Sequence, residues 1–103
     1  MRIDISGDFR TVDAAVEAAR HAADAGVGTL WVPQIEGLAP MILLGVVARE
    51  VPGVGLGVGV AALPTTHPTL LAQEAITLSQ ISDGRFTLGI GLSHRPVVEQ
   101  NWG

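Results

Sequence analysis

The sequence has no cysteine and no lysine, and it is poor in charge of either sign. Without cysteine, disulfide bonds, thiolate metal sites and cysteine nucleophiles are all excluded. The 6 basic residues are arginines scattered along the chain, and the formal net charge is −4. A nucleic-acid-binding protein would show a basic patch or stripe, so we expect no nucleic-acid partner.

Long hydrophobic runs are missing as well. The longest, residues 54–63, has about ten residues, which is half of the ~20 that a membrane-spanning helix needs. Asp4 and Asp8 interrupt the N-terminal segment, which therefore has no apolar core of the kind found in a signal peptide. These absences predict a soluble, cytoplasmic protein without a membrane partner.

What the chain has in excess is apolar character. Hydrophobic residues make up 48% of the sequence and charged residues 16%, whereas soluble domains typically carry about 25% charged residues. A small domain also buries only ~60–65% of the surface of its unfolded chain. We therefore expect some hydrophobic surface to need a partner. That partner would be a second copy of the chain in a homo-oligomer, or the C-terminal half of a larger fold.

Short apolar runs alternate with helical patterns along the chain. Thr11 is typical of a helix N-cap, Pro40 of a first helical residue and Gly26 of the residue after a helix. Strand–helix units of roughly 25–30 residues are typical of a parallel sheet. Two architectures remain open: a doubly wound sheet, and a barrel of ~250 residues of which this chain would be about half. The predicted strands are residues 2–6, 29–32, 54–63 and 85–92, and a predicted helix follows each of the first three.

The third and fourth predicted strands carry glycine at every second position. Gly55, Gly57 and Gly59 share one face of the third strand, and Val60 falls on the opposite face. Because glycine weakens a strand, the glycine face is expected to need room, either for a planar ligand or for close packing against large neighbours. A dinucleotide-binding fingerprint is excluded, because its glycines must lie in a strand-to-helix turn and not within a strand.

Polar residues collect directly after the predicted strands. Ligand chemistry in α/β barrels gathers at the C-terminal strand ends, so this pattern predicts a site. No catalytic residue is identified with certainty by the pattern, and His94 is the strongest single candidate because imidazole titrates near neutrality. Three histidines without carboxylates at ligand spacing do not indicate a metal site. The polar residues are Ser6 and Asp8 at the end of the first strand, Gln34 and Glu36 after the second, Thr65, Thr66 and His67 after the third, and Ser93, His94 and Arg95 after the fourth.

Five segments occur in an order and spacing that point to one family. The most specific is GRFTLGIG at residues 84–91; the others are AADAG at 22–26, WVPQ at 31–34, GVGVAALP at 57–64 and LAQEA at 71–75. With these segments the chain resembles, over nearly its whole length, the luciferase-like flavin and deazaflavin oxidoreductases. The resemblance is to their coenzyme F420-dependent branch in particular.

The resemblance implies an α/β fold in which residues 1–103 form one partial domain, the N-terminal half of a (β/α)8 TIM barrel. It also implies an oxidoreductase that transfers a hydride between F420 and an unknown small-molecule substrate. The deazaflavin ring would carry the hydride while the protein orients it. The alternatives are an FMN-dependent luciferase-like monooxygenase and an inert or self-associating barrel fragment.

The same resemblance implies where the cofactor ring would rest. A bulge with a non-prolyl cis peptide bond is expected on the third strand, at Val60-Ala61, to back the ring. Pro33-Gln34 stand where many relatives place an acidic residue or a histidine, and the family's phosphate-binding loops belong to later strands. Residues 1–103 alone are therefore expected to bind the cofactor weakly or not at all. The implied cofactor-binding residues are Gln34, Val60, Ala61, Gly91, Ser93 and His94.

Overall fold

In the computed structural model, which describes residues 3–34 and 37–91, four parallel strands form one sheet in the order β1-β2-β3-β4. Neighbours in the sheet are neighbours in sequence, as in a β/α barrel, whereas a doubly wound sheet reverses its order at a switch point. The predicted parallel α/β fold is confirmed. The strands are β1 (Ile5–Ser6), β2 (Thr29–Val32), β3 (Gly55–Ala62) and β4 (Phe86–Gly91); the helices are α1 (Val12–Asp24), α2 (Pro40–Glu50) and α3 (Pro68–Ile81), and a 3-10 turn (Leu63–Thr65) follows β3.

The helices begin and end at the residues that the sequence indicates. The Thr11 hydroxyl accepts a hydrogen bond from the backbone N–H of Ala14 at 3.1 Å, which satisfies one of the free N–H groups of the first turn of α1. Gly26 follows α1 with a φ of 75°, a left-handed conformation that glycine adopts at no steric cost. His67 caps α3, since its Nδ1 accepts from the N–H of Thr69 at 3.1 Å. His67, which directly precedes Pro68, is therefore the N-cap of α3.

One hydrophobic core lies between the sheet and the helices. Alternate residues of β2 and β3 point into it: Leu30 and Val32 from the first, Leu56 and Val58 from the second. The face of α1 toward this core is lined by alanines and one valine, and such small side chains let a helix approach the sheet closely. The described helices are all shorter than a membrane span, and none has the length and apolarity to cross a bilayer.

Strand β2 has the predicted bounds, whereas the other strands differ from the prediction at their ends. Strand β1 comprises two residues, Ile5 and Ser6, which pair with β2, and of the predicted residues 2–6 Arg2 lies outside the described residues. Strand β3 loses one residue at each end, and β4 is described only as far as Gly91. Residues 92–103, including the end of the predicted fourth strand, lie outside the described residues.

A single arginine joins several segments at the N-terminal end of the sheet. Arg85 directly precedes β4, and its half-buried guanidinium donates to backbone carbonyls that end two helices and begin one strand. Carbonyl groups at helix C-termini have no partner within the helix, so a cation with several N–H donors stabilises them. The acceptors are the carbonyl oxygens of Ala48 (2.8 Å), Val51 (3.0 Å), Val54 (2.7 Å) and Ser82 (2.8 Å).

Candidate functional site

The C-terminal end of β3 departs from regular strand geometry. Val58 pairs with Leu88 of β4, but the next paired residue of β3 is Ala61, which pairs with Ile90. Gly59 and Val60 thus stand opposite one residue of β4, which is the arrangement of a β-bulge. The predicted bulge is confirmed. The predicted cis peptide bond is present, but at Gly59-Val60 and not at Val60-Ala61; it joins the two residues of the bulge, and Ala61 is back in register with β4.

The bulge moves Val60 away from the core. Regular alternation would place Val60 on the helix side of the sheet with Leu56 and Val58, and that prediction is wrong. Val60 is 40% exposed, and a methyl group added at Gly91 would lie only 2.9 Å from its Cγ2. The missing side chain of Gly91 therefore makes room for Val60 on the face opposite the helices. Two of the predicted site residues, Val60 and Gly91, are adjacent there.

The glycine face of β3 is partly filled by an indole ring. A methyl group added at Gly57 would overlap the ring of Trp31 on the neighbouring strand, and one added at Gly59 would lie 3.2 Å from Cε3 of that ring. The indole N–H donates to the Asp4 carboxylate at 3.2 Å, which holds the ring over the glycines. Close packing thus accounts for Gly57, whereas Gly59, which lies in the bulge, is exposed.

Gln34 connects the end of β2 to the end of β3 through a closed ring of hydrogen bonds. The N–H of Ala62 donates to Gln34 Oε1 at 2.8 Å, and Gln34 Nε2 donates to the Thr65 hydroxyl at 3.1 Å. That hydroxyl donates back to the carbonyl of Ala62 at 2.7 Å. The backbone N–H of Gln34 also donates to the carbonyl of Val60 at 3.3 Å. Both polar atoms of the Gln34 side chain are therefore engaged at the irregular end of β3.

The structure brings most of the described candidate residues to one edge of the sheet. Gln34, Val60 and Gly91 meet at the C-terminal strand ends, while the side chain of Ala61 is buried in the core and only its backbone belongs to this edge. Ser93 and His94 lie outside the described residues, so the suggested role of His94 stays a prediction. The cofactor-binding role of the whole set stays a prediction too.

Sequence reasoning did not assign Trp31 a role, although a signal for it was present. Trp31 of β2 pairs with Gly57 of β3 in the parallel register. A large side chain beside a residue without one fills the available space, so the two are complementary in volume. The described residues around Val60 are otherwise neutral, comprising an amide, a hydroxyl and backbone groups. Within residues 3–34 and 37–91 no cluster of three or more histidine or carboxylate side chains could hold a metal ion. This edge offers an apolar surface with hydrogen-bonding groups beside it.

Comparison with known proteins gives matches over nearly the whole chain. Residues 3–103 match the family model described as luciferase-like monooxygenase. The chain is 34% identical over 87 residues to a putative coenzyme F420-dependent oxidoreductase of Mycobacterium tuberculosis, an alignment that covers 84% of this chain and 25% of the relative. It is 36% identical over 58 residues to the 4-hydroxyprotoasukamycin monooxygenase of Streptomyces nodosus subsp. asukaensis, covering 56% of this chain and 16% of that enzyme.

Solved structures share the fold. The F420-dependent tetrahydromethanopterin reductase of Methanopyrus kandleri superposes with a TM-score of 0.90 at 23% identity, over 96% of this chain and 29% of that one. The FMN complex of the oxygenating constituent of 3,6-diketocamphane monooxygenase from Pseudomonas putida superposes with a TM-score of 0.84 at 22% identity, over 93% of this chain and 30% of that one. The chain thus spans a quarter or less of the two curated relatives and under a third of these structures.

Proposed function

The chain belongs to the luciferase-like monooxygenase family, and we propose that it supplies one side of a barrel mouth where F420 binds and exchanges a hydride with a small organic substrate. The observation that carries this proposal is the bulge of β3, which turns Val60 out of the core at the edge where the strands end. Barrel enzymes bind their ligands at that edge. The F420-dependent relative, matched over 84% of this chain, favours a deazaflavin as the ligand.

The groups at this edge fit the face of a planar ring. Gly59 and Val60 are exposed and uncharged, so together they present an apolar surface without a side chain at the glycine. Gly91 keeps the neighbouring strand from crowding Val60. A bound deazaflavin would supply hydride transfer at its ring, and this chain would support one face of the ring and exclude water from it. The substrate is the other partner in the hydride transfer, and residues outside this edge would hold it.

An FMN-dependent monooxygenase is the second candidate. Its support is the 36% identity to one monooxygenase and the 28% identity over 96 residues to the limonene 1,2-monooxygenase of Rhodococcus erythropolis. The surface at Val60 would contact either tricyclic ring in the same way, so the edge described here does not separate the two. A third candidate, a self-associating fragment without activity, draws support from exposed apolar residues such as Ile42 on α2 and Ile76 on α3.

A binding titration separates these candidates. The purified protein is titrated with oxidised F420, reduced F420 and FMN, while the absorption spectrum of the cofactor and the mass of the protein in solution are followed. We expect F420 to bind more tightly than FMN. Tighter binding of FMN would replace the leading candidate with the second, and an oligomer that binds neither would favour the third.

Two matched variants locate the binding surface. Val60 and Ile90 are both exposed, β-branched and near the C-terminal ends of their strands. They lie on opposite faces of the sheet, because Ile90 is in register with the buried Ala61 and so faces the helix side. Val60→Gln is expected to weaken F420 binding about tenfold, and Ile90→Gln to leave it unchanged. Equal affinities in the two variants would place the cofactor elsewhere.

A further inference from the structure

We propose that Gln34 and Thr65 form a positioning pair for the cofactor face, holding Val60 and Ala61 in place without contacting the ligand. This inference rests on the proposed function, because it assigns a role to the support of the same surface. It concerns how β3 is held at Val60, which lies in the bulge and is 40% exposed, whereas Ala61 is also held by its pairing with Ile90 and by its burial. The role of Gln34 would then be indirect, through β3.

The direction of each hydrogen bond in the ring is determined by its chemistry. A backbone N–H can only donate, so the Gln34 atom that faces the N–H of Ala62 must be the carbonyl oxygen Oε1. The NH2 group of Gln34 then faces Thr65, whose hydroxyl accepts from it and donates its own proton to the carbonyl of Ala62. The ring therefore needs one side chain that both accepts and donates. A carboxamide does so, and a carboxylate does not.

The ring lies where the strand pairing is interrupted. A bulge leaves residues without their regular partners in the ladder, here Gly59 and Val60. Gln34 contacts β3 within this interruption, through its backbone N–H to the carbonyl of Val60, and just after it, through its side chain to Ala62. The ring thus holds the segment between these two contacts against the end of β2. Loss of one member would leave half-buried polar groups unpaired and release that segment.

Three substitutions separate a positioning role from direct binding. Gln34→Glu keeps the size of the side chain and removes its donor, while Thr65→Val keeps the shape and removes the hydroxyl. Thr65→Ser, the matched control, keeps the hydroxyl. In titrations of the purified protein we expect F420 affinity to fall about tenfold for Gln34→Glu and for Thr65→Val, and to stay within about twofold for Thr65→Ser.

Non-additivity is the second readout. If the two residues act as one unit, the double variant Gln34→Glu/Thr65→Val should bind no more weakly than the weaker single variant. The absorption maximum of the bound cofactor should shift in the same way in both single variants and not in Thr65→Ser. Unchanged affinity in Gln34→Glu, fully additive losses, or a loss that Thr65→Ser shares would each overturn the positioning role.

The amide spectrum of the ligand-free protein gives a readout that does not depend on the cofactor. We expect the 1H–15N signals of Val60 and Ala61 to move in Gln34→Glu and in Thr65→Val, and to stay in place in Thr65→Ser. If the wild-type protein binds neither F420 nor FMN, the proposed function fails and these signals alone decide the positioning role. Unmoved signals at Val60 and Ala61 would then overturn it.

Discussion

The two ends of the parallel sheet are both held by polar side chains, but in different ways. At the N-terminal end the Arg85 guanidinium donates to carbonyls of α2, of α3 and of the segment before β3, and the pairing of the strands there is regular. At the C-terminal end the neutral ring of Gln34, Thr65 and Ala62 lies directly after a bulge. One cation joins regular elements at the first end, and a side-chain ring holds an irregular segment at the second.

From this difference we expect the N-terminal end of the sheet to serve mainly the stability of the fold, and the C-terminal end to serve mainly ligand binding. In β/α barrels, ligand sites lie at the C-terminal ends of the strands, and the opposite end serves the fold. We therefore expect substitutions at Arg85 to lower the free energy of unfolding most strongly. Substitutions at the Gln34 ring should affect stability less and ligand affinity more.

The largest expected effect is at the N-terminal end. Arg85→Leu removes a charged donor from several helix-end and loop carbonyls, and should lower the free energy of unfolding by about 3 kcal/mol. Chemical denaturation followed by circular dichroism measures the loss. Arg85→Lys is the matched control, since it keeps the charge but not the planar fork, and should lose roughly half as much. A loss below about 0.5 kcal/mol for Arg85→Leu would remove the contrast between the two ends.

The second largest loss of stability is expected for a substitution in the middle of the sheet. Gly57→Ala would push a methyl group into the indole of Trp31, and overpacking of this kind costs about 1–3 kcal/mol. Gly53→Ala is the matched control, because a methyl group there meets only Ala23 Cβ at 3.4 Å. Adding Trp31→Leu to Gly57→Ala should recover part of the loss in thermal unfolding. Equal stabilities of the two alanine variants would contradict the packing of Trp31 on the glycine face.

At the C-terminal end the expected cost in stability is smaller. Thr65→Val breaks the ring at one point and should lower the free energy of unfolding by about 1 kcal/mol, the usual net value of a hydrogen bond. The same denaturation experiment as for Arg85→Leu measures it, with Thr65→Ser as control. A loss as large as that of Arg85→Leu would show that both ends serve stability equally.

The smallest effect is expected for a second arginine. Arg20 donates to Glu50 at 3.2 Å, but both side chains are more than half exposed, so water and salt screen the pair. Glu50→Gln should change the free energy of unfolding by no more than about 0.5 kcal/mol, and less in high salt. A change comparable to that of Arg85→Leu would show that charge, and not the number of carbonyls reached, decides the contribution of an arginine here.

The elements of this fold were largely predictable from local sequence signals. Thr11, Gly26 and Pro40 act on their immediate neighbours in the chain, and each marks a helix boundary as expected. The bulge was expected only from the family resemblance. Its position one residue earlier follows from the register between β3 and β4, which no local pattern encodes.

The candidate site was harder to derive for the same reason. The two-residue alternation of a strand predicted that Val60 lies on the helix side of the sheet, but the bulge places its side chain on the opposite face. Gln34 was selected correctly as a residue at the strand ends, but its partner Thr65 is 31 residues away in sequence. Hydrogen bonds of that kind depend on how two loops meet in space. Composition and periodicity carry no information on this.

The hydrogen bonds of Arg85 also bear on the order of folding. Three of its acceptors are 31, 34 and 37 residues away in the chain, so we expect these bonds to form late in folding, once the end of α2 and the start of β3 have met the segment before β4. Contacts that form late are absent from the folding transition state, and their loss speeds unfolding while leaving the folding rate nearly unchanged. Arg85 would therefore govern how long the assembled units stay together, and much less how fast they assemble.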